Sequence, residues 1–173
     1  SKSIFFEIFF KSIKLKSFKS PIILISSKKL LTQNMKKFNF KKKIKLLKSS
    51  QIKELNLNNN SINLIDIKLK NNRNINQYIE KSFFTAFKII KDGITDKFIN
   101  GPISKKKFLK KKYLGVTEYI CDYFAIKKNA MLIYNKDLSV CPITTHLPIK
   151  QVTKKITKTI IKEKVNLVAK FYL

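Results

Sequence analysis

Pro21-Ile22-Ile23-Leu24-Ile25-Ser26-Ser27-Lys28-Lys29-Leu30-Leu31-Thr32-Gln33-Asn34-Met35 is the stretch that decides the fold class. The unbroken apolar run from Ile22 to Ile25 predicts a short strand buried on both faces, because a strand with one wet face alternates apolar and polar residues. Ser26-Ser27 then supplies a hydroxyl to cap a helix, and Leu30, Leu31 and Met35 recur at helical spacing behind it. Upstream, Ile4, Phe5, Ile8, Phe9 and Ile13 predict a helix over 3–13. Helix, strand, helix is an α/β rhythm.

Working outward, 41–70 turns to short alternating pieces, of which 62–69 (Ile62, Leu64, Ile65, Ile67, Leu69) is the best strand and 58–61 a polar turn. From Asn74 the helical period returns through Ile75, Ile79, Phe83, Ala86 and Ile90, with Gly93 as a C-terminal stop. Residues 94–99 predict a strand that delivers Gly101-Pro102 to its carboxyl end, the place where open α/β sheets bind ligands. Thr117 is expected to cap a helix through Tyr119, Ile120, Tyr123 and Phe124. Two strands over 130–134 and 138–143, joined by Asn135-Lys136-Asp137, precede an amphipathic helix from Ile149 to the end. The expectation is a single α/β region over 1–173. The opening on Ser1 and the helical period that runs to Leu173 fit an internal piece of a longer chain.

The 173 residues are 44% hydrophobic, enough for a real core. A formal charge of +28 points first to nucleic acid or an anionic surface, yet only Arg73 among 38 basic residues is an arginine. Lys, Ile, Asn and Phe abound while Gly, Pro, Ala and Arg are scarce, the signature of an AT-rich genome, so the charge reads as solvated lysine and nucleic-acid binding is the lesser reading. Cys121 and Cys141 have no C-x-x-C spacing and read as buried free thiols of a reducing compartment. No apolar run has the length of a membrane span. Residues 1–20 are Lys- and Ser-rich like a transit peptide, but contain Glu7 and no arginine. A soluble, cytoplasmic protein is expected, with no membrane partner.

Chemistry-bearing residues concentrate between Phe98 and Ile149, which hold two of three glycines, three of four prolines and the only histidine. In Asn100-Gly101-Pro102-Ile103-Ser104-Lys105, the glycine allows close backbone approach to a ligand and Lys105 can contact a phosphate or carboxylate, although it opens a run of surface lysines. In Gly115-Val116-Thr117-Glu118-Tyr119, Thr117 and Glu118 serve equally as ordinary helix-start residues. In Thr144-Thr145-His146-Leu147-Pro148, the imidazole is either a hydrogen-bonded strand-end histidine or a ligand to a divalent cation. No second histidine accompanies it and the ten acidic residues are scattered, so this chain assembles no complete metal site.

In this order and spacing, Gly-Pro-x-x-Lys, Gly-x-Thr-Glu-Tyr and Thr-Thr-His-Leu-Pro resemble the central segment of the 4-hydroxythreonine-4-phosphate dehydrogenase family, over about 98–152. The resemblance implies a partial isocitrate/isopropylmalate dehydrogenase-like fold, its sheet flanked by helices. It also implies NAD- and divalent-metal-dependent (Zn, Mg or Co) oxidation of 4-phosphohydroxy-L-threonine with decarboxylation, in pyridoxal phosphate (vitamin B6, pyridoxine) biosynthesis. Family members are homodimers. By the same resemblance His146 matches the first of three metal-binding histidines and Thr117 a substrate-binding residue. Lys105 joins the substrate site, and Gly101 and Pro102 shape its floor. Val116 stands where the family usually has histidine, and Asn100 where it commonly has threonine. The family's glycine-rich opening and its two later histidine motifs are not in this sequence, so the chain alone is expected to be inactive. Val116 keeps open the related dehydrogenases of four-carbon sugar-acid phosphates (threonate or erythronate phosphate). The rivals are a basic RNA-binding protein and a degenerate remnant with a fold and no catalysis.

Overall fold

A computed structural model describes residues 4–69, 75–109 and 112–173. Ser1 to Ser3, Arg73 and the expected helix start at Asn74 lie outside them. The chain divides into two compact units, Ser1–Ser104 and Lys105–Leu173.

In the first unit, α1 (Phe5–Leu15), β1 (Ile23–Ser26) and α2 (Lys28–Lys37) reproduce the expected rhythm. Ser27 is the N-cap of α2, its hydroxyl accepting the Leu30 amide at 3.4 Å. A short strand β2 (Ile44–Leu46), a 3-10 turn (Ser49–Glu54), β3 (Ile62–Asp66) and α3 (Ile75–Lys91) complete the unit. The three strands form one parallel sheet in the order β1-β3-β2, with Leu24 opposite Leu64 and Leu46 opposite Leu64 on the other side. β3 is central, and its first four residues are all buried.

Successive side chains of a strand face opposite ways, and the core divides accordingly. Ile62 and Leu64 of β3 and Leu24 of β1 join Phe6 and Phe10 of α1, Leu31 of α2 and Phe40 in one cluster. Ile65 joins Leu47, Ile52 and Ile89 of α3 in the other, against which Ile23 and Ile25 pack. Apolar side chains thus pack on both faces of the sheet, as the continuous apolar run of β1 requires. Asn63 is buried within it, its amide nitrogen donating to the Ile22 carbonyl at 3.1 Å and the Asn58 carbonyl at 2.8 Å. The polar turn at 58–61 is a clasp: the Asn59 side chain accepts the Ile22 amide and donates to the carbonyls of Phe18 and Ser20.

Four expectations need correction. Residues 94–99 form no strand: Lys97 donates its amide to Thr95 Oγ1, and Phe98 packs edge-on against Phe83 and Phe87, its ring 5.6 and 6.0 Å from theirs. β3 ends at Asp66 instead of 69, where its hydrogen-bonded neighbour β1 also ends. In the second unit, 130–134 and 138–143 make a single antiparallel bridge, Ile133 to Val140, around the expected turn. Without further strands or a covering face, a two-stranded hairpin has little to hold it. The C-terminal helix is broken into α6 (Ile149–Lys155) and α7 (Lys158–Tyr172), because Ile156 and Thr157 are extended and the Thr157 hydroxyl accepts the Ile160 amide to start a new helix. Two short helices, α4 (Lys105–Phe108) and α5 (Val116–Tyr123), precede them.

Candidate functional site

Gly115 is the N-cap of α5, and Val116, Thr117 and Glu118 make its first turn. The expected Thr117 cap is therefore displaced by two residues: Thr117 is inside the helix, and no side chain caps it. A helix start leaves its first amides without intrahelical partners and concentrates positive charge there, which favours an acidic group close by. Glu118 meets that demand by folding back over Gly115. A Cβ on Gly115 would lie 2.7 Å from Glu118 Oε2, which occupies the space that a side chain would take, and 3.6 Å from His146 Nε2, an ordinary contact distance.

His146 is thereby brought from a distant part of the sequence onto the start of α5. It sits in no strand, and its backbone is in the left-handed region, at φ 56°. A histidine there is uncommon and costs on the order of 1 kcal/mol or more, a kind of strain that clusters at functional sites. Its side chain is exposed, whereas Gly115 is buried and Val116, Thr117 and Glu118 are half-buried. Lys105 is exposed at the first position of α4.

Gly101 and Pro102 belong to the first unit. A Cβ on Gly101 would overlap the ring of Phe5, so the glycine is required by packing against α1. That requirement exists whether or not a ligand approaches the turn.

Two residues of the motif over 115–119 were given no site role from sequence. Gly115 looks like any turn glycine, and Glu118 like any first-turn acid; only the fold shows them meeting His146. Cys121, one turn beyond Glu118, has its thiol pushed above the ordinary range, first by burial and then by the Glu118 carboxylate. Among the described residues no three His, Cys, Asp or Glu side chains gather as a metal site, so the residues present offer one histidine towards a cation and do not hold one alone. A cavity of about 680 Å³ beside α7, lined by Lys128, Lys158, Lys162, Glu163 and Lys170 among others, contains none of these residues. No helix among the described residues is long and apolar enough to cross a membrane.

Comparison with known proteins places the chain in a family. Curated relatives called 4-hydroxythreonine-4-phosphate dehydrogenase include that of Sulfurihydrogenibium sp., 38% identical over 85 residues, which are 48% of this chain and 26% of the relative. That of Aquifex aeolicus is 28% identical over 139 residues, 79% of this chain and 43% of the relative. Among solved structures, a putative 4-hydroxythreonine-4-phosphate dehydrogenase from Salmonella typhimurium matches 98% of this chain and 56% of its own at a TM-score of 0.78 and 16% identity. The Klebsiella pneumoniae enzyme matches 88% of this chain and 49% of its own at a TM-score of 0.72 and 17% identity. Over the matched residues the chain shares the fold of these solved structures, a partial isocitrate/isopropylmalate dehydrogenase-like fold, and it spans about half their length. With the model of the pyridoxal phosphate biosynthetic protein PdxA matching residues 17–172, the chain belongs to the PdxA family.

Proposed function

We propose that this chain is the part of a 4-hydroxythreonine-4-phosphate dehydrogenase that carries one metal-binding histidine and the start of the substrate site, in pyridoxal phosphate biosynthesis. The family match supports this, and the observation that carries it is the convergence of His146 with the first turn of α5 at Gly115. In the whole protein a divalent cation (Zn, Mg or Co) would polarise the substrate hydroxyl while NAD accepts hydride, and the resulting 3-oxo acid would lose its carboxylate. This chain's own residues bind and orient. Thr117 brings a hydroxyl and a first-turn amide to the substrate, and His146 brings its imidazole. The negative Glu118 already occupies the positive end of α5, so the substrate's hydroxyl and ammonium groups suit that end better than its phosphate. Lys105 is the candidate phosphate contact. The whole protein works as a homodimer in the cytoplasm.

Val116 supplies no polar contact where a family member usually has histidine, so a four-carbon sugar-acid phosphate is the second substrate reading. Nuclear magnetic resonance on the 173-residue chain separates the two. Addition of 4-phosphohydroxy-L-threonine is expected to shift the amides of Val116 to Glu118 and the His146 ring. Shifts with 4-phosphoerythronate alone would transfer the assignment to that substrate. No response to either, together with salt-sensitive RNA binding, would overturn the dehydrogenase reading. NAD reduction by this chain alone would show that it carries the full catalytic set.

A further inference from the structure

Glu118 Oε2 is cut off from solvent and has no hydrogen-bond partner, one of two such side-chain atoms among the described residues. A buried oxygen left without a donor is destabilising, and more so when it is charged. Its position, three residues into the helix from Gly115, is the one from which an acid can reach back to the N-cap amide. Oε2 makes no such bond, so capping does not account for it. The side-chain nitrogen nearest to the same point above Gly115 is His146 Nε2, 3.6 Å from where a Cβ would stand, against 2.7 Å for Oε2. His146 itself has a left-handed backbone, at φ 56°.

We infer that Glu118 is the positioning residue for His146, its Oε2 accepting the imidazole Nε2–H, with Gly115 providing the gap in which the two side chains meet. No hydrogen bond joins them in the present arrangement, so the pair forms only when the exposed ring moves towards Oε2. A carboxylate that takes one ring N–H fixes the tautomer and the ring plane and raises the basicity of the other nitrogen. Here that leaves Nδ1 as the ligating atom. The role rests on the reading of His146 as a cation ligand; the pair itself does not.

His146 is the only histidine of the chain, so one imidazole spectrum reports on it without assignment ambiguity. In the metal-free chain at neutral pH, the Nε2–H resonance is expected to be visible because its exchange with water is slowed. Glu118→Ala should abolish it, and Glu118→Gln, which keeps an acceptor oxygen, should retain it. Gly115→Ala should abolish it as well, since the new methyl would fall 2.7 Å from Oε2; the backbone amide spectrum establishes that each variant is folded. An Nε2–H signal absent from the parent chain, or unchanged in Glu118→Ala, overturns the pair. Zinc titration followed on the same ring separates this from the functional reading. Zinc that moves the ring of the parent chain and binds about tenfold more weakly to Glu118→Ala supports the positioning role. Zinc that binds both equally overturns that role and leaves the ligand reading standing. An imidazole indifferent to zinc, with the Nε2–H pattern intact, counts against the ligand reading and leaves the pair established.

Discussion

The Asp66 carboxylate, at the end of β3, accepts the backbone amide of Lys28 at 2.8 Å, in the first turn of α2. It joins the central strand to the helix that follows the neighbouring strand, at the carboxyl edge of the sheet. Beside it the Tyr78 hydroxyl of α3 meets both Ser26 Oγ and the Ser27 amide at 3.1 Å. The βα turn that often binds ligands in α/β folds is here occupied by the chain's own side chains.

Removing this cap should therefore cost stability and not ligand affinity. Asp66→Ala is expected to destabilise the chain by about 1 kcal/mol, and Asp66→Asn, which keeps an acceptor, by a few tenths. Urea unfolding of the variants checks both values; an unchanged midpoint for Asp66→Ala would show that the bond contributes nothing.

Leu31 is completely buried in the cluster between α1, α2 and the sheet. Leu31→Ala leaves a cavity that close-packed neighbours fill only in part, so a loss of about 2–5 kcal/mol is expected. Against a total stability of about 5–15 kcal/mol that is a large fraction, and thermal unfolding followed by circular dichroism should register it as a marked drop in Tm.

Gly101→Ala should destabilise the first unit because the added methyl collides with the Phe5 ring. Overpacking of this kind costs about 1–3 kcal/mol. Phe5→Leu in the same chain should recover part of the loss, and a double-mutant cycle measures the coupling. Additive effects would mean that the glycine is required for another reason.

Burial, and secondarily the Glu118 carboxylate, raises the thiol of Cys121 above its ordinary range. The folded chain then holds this proton more tightly than the unfolded chain. The associated stability is fully present below the unfolded thiol's value and is lost as pH rises through the raised folded value. Urea midpoints should fall across that window more steeply for the parent chain than for Cys121→Ala, and iodoacetamide should label folded Cys121 more slowly than a free thiol at the same pH. Equal slopes would exclude the shift.

The first unit was legible from sequence because its signals are local. Ile22 to Ile25, the Ser27 hydroxyl and the Gly93 stop, which adopts φ 69°, each fix their own neighbourhood. The errors lie where a pattern needs a partner that is not beside it. Ile94 and Phe98 are spaced for a strand, but Phe98 finds aromatic rings on α3 instead of a neighbouring strand. Val140 meets Ile133 and nothing extends the pair. The candidate site was legible as types and order of residues, and His146 and Thr117 were put forward in that way. Its geometry was not, because Glu118 and His146 are far apart in sequence and only the fold brings both near Gly115.

The order β1-β3-β2 has a consequence for synthesis on the ribosome. Both outer strands are translated before the central one, and each pairs only with it, so no sheet hydrogen bond can form until Ile62 to Asp66 has left the exit tunnel. Until then the nascent segment holds two unpaired strands, the apolar β1 and the short β2, and its early regular structure is helical. The lysines at 41 to 43, immediately before β2, place repelling positive charge beside one waiting strand and so discourage pairing between neighbouring nascent chains on a polysome.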